Sequence, residues 1–328
     1  MTHRLGVAVV ALSVFASVFA VVTFAQRPEP HPFVSPAKYE TWQRELSNSG
    51  RWGKDDGLGA LNLITPAKRK AAAALVRKGI TVSLASDVPT RGEVDIPCPA
   101  ESAITTVNGR GAVDRIAFPC IHGAGHTHID SLAHIFFNGL MWNGFAASEN
   151  VTDAAGARRN SVLNMKNGIV TRGILYDIPR LKGLPYLEPG TRIFEDDLEA
   201  WEKKTGVKVG AGDALVLRWG RWSRRAALGP WAGDTAAGLD NSIIPWLKRR
   251  DISMIVWETP GTAQGELAAG ALHNFALSIL GVMLVDRADL EALSNVAAQN
   301  HRWEFMLTVG PLAIPNGTGS PVNPIAVF

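Results

Sequence analysis

The stretch His122-Gly-Ala-Gly-His126-Thr-His128-Ile-Asp130-Ser-Leu-Ala-His134 constrains this 328-residue chain more than any other. In an extended backbone alternate side chains share a face, so His126, His128 and Asp130 point the same way from one short strand. Gly123 and Gly125 permit a sharp bend just before that face, which can bring His122 near as well. Neutral imidazoles and a carboxylate are suitable ligands for Zn²⁺ or Mn²⁺. A lone histidine would more often be a surface or hydrogen-bonded core residue. Four with an interleaved carboxylate argue for a metal site. A structural zinc wants four closed protein ligands, often thiolates, whereas an oxygen- and nitrogen-rich set with a spare histidine suits an open, hydrolytic site. His134 lies beyond the triplet, placed to stand beside the metal without ligating it.

Around this run, strands and helices mix without a regular βα alternation, which predicts an α/β or α+β domain with a mixed sheet. Thr65 caps a helix over Pro66–Lys78 that Gly79 ends. Helices are expected at Phe194–Lys204, Ser242–Arg250, His273–Leu280 and Leu290–Ala298. Strands are expected at Ile80–Leu84, Ile116–Ile121, Gly168–Ile178, Ala214–Trp219, Ile252–Trp257, Val282–Val285 and Trp303–Val309, and residues 88–113 read as turn-rich. There is no fixed-period repeat and no Gly/Ser-rich linker.

Residues 1–25 hold one arginine, Arg4, before an uncharged run that ends in Thr23 and Ala25, the pattern of a secretory signal peptide. Left uncleaved, the same run is long enough to anchor the chain in a membrane. The predicted organisation is a leader over 1–25, an N-terminal arm over 26–50 and one domain over 51–328, with no membrane contact in the mature form. In an exported protein Cys98 and Cys120 either form a bridge or are two buried thiols. Lys+Arg 33 against Asp+Glu 30 leaves a net charge of +3, which gives no electrostatic footprint for nucleic acid.

Thr127-His128-Ile-Asp130 followed by His134 resembles the H-x-G-T-H-x-D-x-P-x-H motif of the putative cyclase family, which includes bacterial kynurenine formamidase (arylformamidase) and isatin hydrolase. The resemblance extends to Arg51-Trp-Gly-Lys-Asp-Asp-Gly-Leu-Gly-Ala-Leu-Asn62, to Asn138-Gly-Leu-Met-Trp-Asn-Gly144 and to the closing Gly317–Phe328, and so covers roughly residues 40–328. It implies a swivelling β/β/α fold, usually dimeric, and metal-dependent amide hydrolysis. It also implies two distal ligands, His273 and Asp286, the latter in place of the family's Glu. Two positions depart from the motif. Ala124 stands where the first histidine belongs, so His122 or His126 must replace it, and Leu132 stands for the proline.

A divalent ion with an open position lowers the pKa of bound water towards ~7 and polarises a carbonyl. The expected function is therefore an exported, periplasmic or secreted hydrolase of an aryl formamide, lactam or related cyclic amide or ester, using one or two ions. His134 matches the family's general acid/base. The resemblance points to tryptophan catabolism towards kynurenine, a normally cytoplasmic process at odds with the leader. An exported metal- or solute-binding protein on the same scaffold is the alternative. Trp52, Phe136 and Trp142 are candidates for an aromatic substrate pocket, against ordinary core packing. Arg218 is a candidate for a substrate carboxylate or a surface pair, and Glu258 for a supporting residue.

Overall fold

Three short apolar runs, Ala214–Arg218, Met254–Trp257 and Met283–Asp286, are buried along their whole length in the computed structural model, which describes residues 31–123, 125–232, 235–261 and 264–328. Strands apolar on both faces belong in the middle of a sheet covered by helices, and these runs occupy that place. In chain order the first strands are β1 (Thr81–Ser83), β2 (Glu101–Asn108), β3 (Gly111–Ala117) and β4 (His128–Asp130). They are followed by β5 (Ile169–Asp177), then by β6, β7 and β8, which are the three buried runs. The last are β9 (Glu304–Val309), β10 (Gly319–Pro321) and β11 (Ile325–Val327).

Nine of these form one mixed sheet in the order β1–β11–β9–β5–β6–β7–β8–β4–β10. Strands β5 to β8 run parallel at its centre, and the flanking pairs are antiparallel. The architecture is the expected mixed α+β one. Strand β4 lies between β8 and β10, with Asp286 opposite His128 on one side and Gly319 opposite Asp130 on the other. That register brings together side chains more than 150 positions apart in the chain.

The helices include α1 (Pro36–Glu45), α2 (Pro66–Ala73), α3 (Glu195–Thr205), α4 (Arg221–Leu228), α5 (Ile244–Arg250), α6 (Ala271–Phe275) and α7 (Glu291–Gln299). Thr65 caps α2 by accepting the Lys68 N–H at 3.2 Å. This helix stops earlier than expected because the N–H groups of Lys78 and Gly79 turn to the Phe328 carbonyl, at 3.0 and 2.8 Å. Helix α6 continues as a π turn over Ala276–Leu280, ended by Gly281 at φ +66°. Gly281 has no substitute there, since a Cβ would sit 2.6 Å from the Trp142 ring.

The largest departure from the sequence reading is at 88–117. The expected turn-rich segment and the strand at Ile116–Ile121 are replaced by a β2–β3 hairpin that reverses at Asn108–Gly111, where Asn108 Oδ1 accepts the Arg110 N–H at 2.8 Å. Every β2 residue is exposed, so the hairpin has no buried face to produce alternation. Cys98 and Cys120 are bonded at its root with Cα atoms 6.1 Å apart, which decides between bridge and buried thiols.

Residues Phe33–Phe328 form one compact unit; α1 belongs to it, with the Tyr39 hydroxyl donating to the Ala271 carbonyl at 2.8 Å. The leader reading of residues 1–25 lies outside the described residues. Among the described residues no helix is long and apolar enough to cross a membrane.

Candidate metal centre

Strand β4 is only three residues long, and all three are buried. Ile129 enters the core, while His128 and Asp130 leave on the opposite face. The Nδ1 of His128 lies 2.9 Å from the His126 carbonyl, which can only accept, so Nδ1 carries the proton and Nε2 presents a lone pair. Asp130 is completely buried. Its Oδ1 lies 2.6 Å from His122 Nδ1, and its Oδ2 lies 2.9 Å from His273 Nε2. Asp286 comes within 3.5 Å of His273 Nε2 and accepts the indole N–H of Trp257. Ligand-capable atoms of His128, Asp130 and Asp286 lie within 4.8 Å of one another, and so do those of His122, Asp130 and His134. Asp130 is common to both groups.

The electrostatics follow from burying two carboxylates side by side. Burial alone would raise Asp130, but hydrogen bonds from His122 and His273 hold it well below the usual carboxylate range. Burial would lower His273, yet Asp286 and Asp130 outweigh it and raise the imidazole to about 10. Two buried carboxylates among imidazoles favour positive charge, and the donor set of imidazole nitrogens and carboxylate oxygens fits a divalent ion. His134 behaves differently. It reaches no closer than 4.0 Å to Asp130, stacks on His122 at 3.5 Å and is lowered by burial to about 4.

Several expected residues are placed elsewhere. His126 does not share the face of His128 and Asp130, because the regular strand begins only at His128. Its ring packs on Phe118 at 4.6 Å and borders a different cavity, where burial lowers it to about 4. His122 instead approaches Asp130, held also by Thr318 Oγ1 at 2.9 Å. Position 124 lies outside the described residues. Trp52, Phe136 and Trp142 do not line the cavity at the cluster. Trp142 is buried against Trp52, with its indole donating to Asp56 at 3.3 Å, and Phe136 is half exposed beside another hollow. Asp56 organises its own turn by accepting from the Gly59 N–H at 2.8 Å. Arg218 is a buried structural cation paired with Asp177 at 2.9 Å and Glu291 at 2.6 Å. Glu258 accepts the backbone N–H groups of Trp219, Gly220 and Arg221 at 2.8, 2.8 and 3.1 Å.

The cavity at the cluster measures about 390 Å³, within the range of small-molecule sites. His128, Asp130, His134, His273 and Asp286 line it together with Asp95, Arg221, Thr259 and Arg287, which sequence reasoning did not select. Isolated arginines and threonines carry no spacing signal, and only the fold assembles them. Gly319 was equally silent. A Cβ there would meet His122 Cε1 at 2.6 Å and the Ile129 carbonyl at 2.8 Å, so the closing segment must carry glycine for His122 to enter.

This is a mixed sheet holding a histidine–carboxylate cluster at the end of a short strand, and comparison with known proteins gives the class a family. The family model described as putative cyclase matches residues 80–264, more than half of the chain, and the chain belongs to that family. A crystal structure described as a novel cyclase is similar at TM-score 0.76 and 30% identity, covering 87% of this chain and 99% of that one. Isatin hydrolase A from Ralstonia solanacearum is similar at TM-score 0.53 and 18% identity, covering 80% of this chain and 97% of that one. Isatin hydrolase A from Labrenzia aggregata bound to benzyl benzoate reaches 0.54 at 17% identity, with 78% and 96% covered. These two share the fold. No curated protein matches.

Proposed function

We propose that this chain is a metal-dependent hydrolase of an amide-type bond in an aryl formamide, a lactam or a related cyclic amide or ester. The observation that carries the reading is Asp130, common to two groups of ligand-capable side chains, with His134, the histidine of those groups that stands farthest from its carboxylate, on the wall of the same cavity. Membership of the cyclase family supports it, and the fold relatives named isatin hydrolase have a cyclic amide as their namesake.

When bound, a divalent ion supplies polarisation of a carbonyl and acidification of a water. His128 Nε2, Asp130 and Asp286, joined by His273 and His122, are the groups that would hold it. Hydrogen bonds from His122 and His273 keep Asp130 ionised, so it presents acceptor oxygens to the site. His134 stays neutral near pH 7 because burial lowers it to about 4. It can therefore accept the proton of an attacking water and return it to the leaving nitrogen. Water is thereby added across the C–N bond, giving a carboxylate and an amine. Such a proton relay contributes ~10²–10⁴-fold.

The leader and the Cys98–Cys120 bridge support an exported, periplasmic or secreted protein, since disulfides persist in oxidising compartments. The homodimer is part of the same proposal and rests on the family resemblance; light scattering tests it. The deciding experiment is metal content of the purified protein together with hydrolysis of N-formylkynurenine and isatin before and after chelation. Bound Zn²⁺ or Mn²⁺ with chelator-sensitive turnover is expected. Metal without turnover on formamides, lactams or esters would favour a metal- or solute-binding protein, and no metal would overturn the reading.

A further inference from the structure

The cavity that holds the histidine–carboxylate cluster is also lined by two arginines that the proposed chemistry leaves unused, Arg221 and Arg287. Both are only 4% exposed. Arg221 donates to Asp95 through Nη2 at 2.8 Å, but its Nε has no partner. Arg287 reaches only the backbone carbonyl of Asp95, through Nη2 at 3.3 Å, and its Nε is also without a partner. The hydroxyl of Thr259, on the same cavity wall, is a third buried polar group without a partner. Asp95 is shared further with Arg225 at 3.0 Å, which also pairs with Glu93. On this wall of the cavity Arg221 and Arg287 share one carboxylate, Asp95, with Arg225, while Asp130 and Asp286 lie with the proposed metal ligands.

Buried donors without acceptors are unfavourable unless something completes them. The backbone reinforces the point. Arg287 adopts φ +62°, a left-handed conformation that glycine or asparagine takes with less strain than arginine. A turn alone does not need a guanidinium there; the position retains a strained residue whose side chain lines the site. Two guanidiniums with free Nε–H donors suit an anion, and guanidinium forks match the planar, two-oxygen geometry of a carboxylate.

Resting on the hydrolase reading above, we propose that Arg221, Arg287 and Thr259 form a carboxylate-binding subsite that selects substrates bearing a carboxylate next to the scissile amide. The carboxylate enters as part of the substrate, distinct from the one the hydrolysis creates.

Trp231 stacks on Arg221 at 4.4 Å, and Trp222 lies 5.9 and 5.5 Å from Arg221 and Arg287, so binding here is visible in tryptophan fluorescence. The test titrates benzoate and the isosteric benzamide into metal-loaded and metal-depleted protein. Benzoate is expected to bind at least about tenfold tighter in both states. Arg287→Gln should remove the preference, and Arg287→Lys should retain part of it, with circular dichroism checking the fold. Equal affinity for the two probes overturns the subsite. So does a preference that disappears with the metal, which would put the carboxylate on the ion. In a second arm, the kcat/KM ratio of N-formylanthranilate to formanilide should fall about tenfold in Arg287→Gln. An unchanged ratio with weakened inhibition by the product carboxylate would mean the arginines hold product, and would overturn substrate selection. Binding by the metal-depleted protein is read without turnover, so failure of the hydrolase reading and failure of this subsite give different results.

Discussion

His134 stands 4.0 Å from Asp130, near enough to share the cavity and too far to be a committed hydrogen-bond partner. Removing it should therefore leave the cation-holding groups in place while taking away the proton relay. His134→Ala is expected to keep its metal, measured by plasma mass spectrometry, and to lose about 10²–10⁴-fold in kcat. Gly319→Ala should do the reverse. Its methyl group would displace His122, which contacts Asp130, and metal affinity should drop by about tenfold or more in a competition titration. These two residues also show what a sequence discloses. His128, Asp130 and His134 were legible because strand periodicity and short spacing place them within a few ångströms. His126, grouped with them by the same rule, stands apart in the structure, since the extended geometry starts two residues after it. Gly319, Thr318 and Arg287 approach the site from more than 150 positions away in the chain, and no local pattern announces them.

Strand β7 ends at Trp257, and the next residue, Glu258, closes the connection into α4 by accepting three successive backbone N–H groups. Arg221, the first residue of α4, is thereby fixed at the cavity wall. Burial pushes the Glu258 carboxyl up to about 8, against the pull of Arg218. The folded protein consequently binds a proton that the unfolded chain releases near 4.5, and stability falls as pH rises between those values and levels off above about 8. Glu258→Gln keeps an acceptor for the N–H groups and removes the titration. Its urea-unfolding free energy should be flatter than that of the unsubstituted protein between pH 5 and pH 8. At this scale the sequence was informative where burial is one-sided or complete. The central strands and the capped helix starts fall within a residue or two of expectation. The β2–β3 hairpin was missed because a strand pair exposed on every residue but Ala117 shows no apolar alternation. The π turn after α6 was read as plain helix, since one extra residue in a turn leaves no compositional trace.

For the molecule as a whole, nine strands drawn from positions 81 to 327 must pair before the site exists. The family resemblance gave the fold family, and composition and periodicity only its class; the order of the nine strands came from neither. The covalent link at Cys98–Cys120 closes a loop spanning 22 positions, and its constraint on the unfolded chain is worth about 3 kcal/mol in the chain-entropy description. Replacing both cysteines by serine should lower the unfolding free energy by up to about that amount in urea titration. The same bridge has a bearing on how the protein matures. Cys120 stands two residues before His122, and Gly125 passes so close to the Cys98 carbonyl that a Cβ would meet it at 2.5 Å. The disulfide therefore restrains the same short loop that carries His122 to Asp130. Protein made in a reducing cytosol should emerge with a slack loop and take up its ion slowly, and an oxidising refold should restore the uptake.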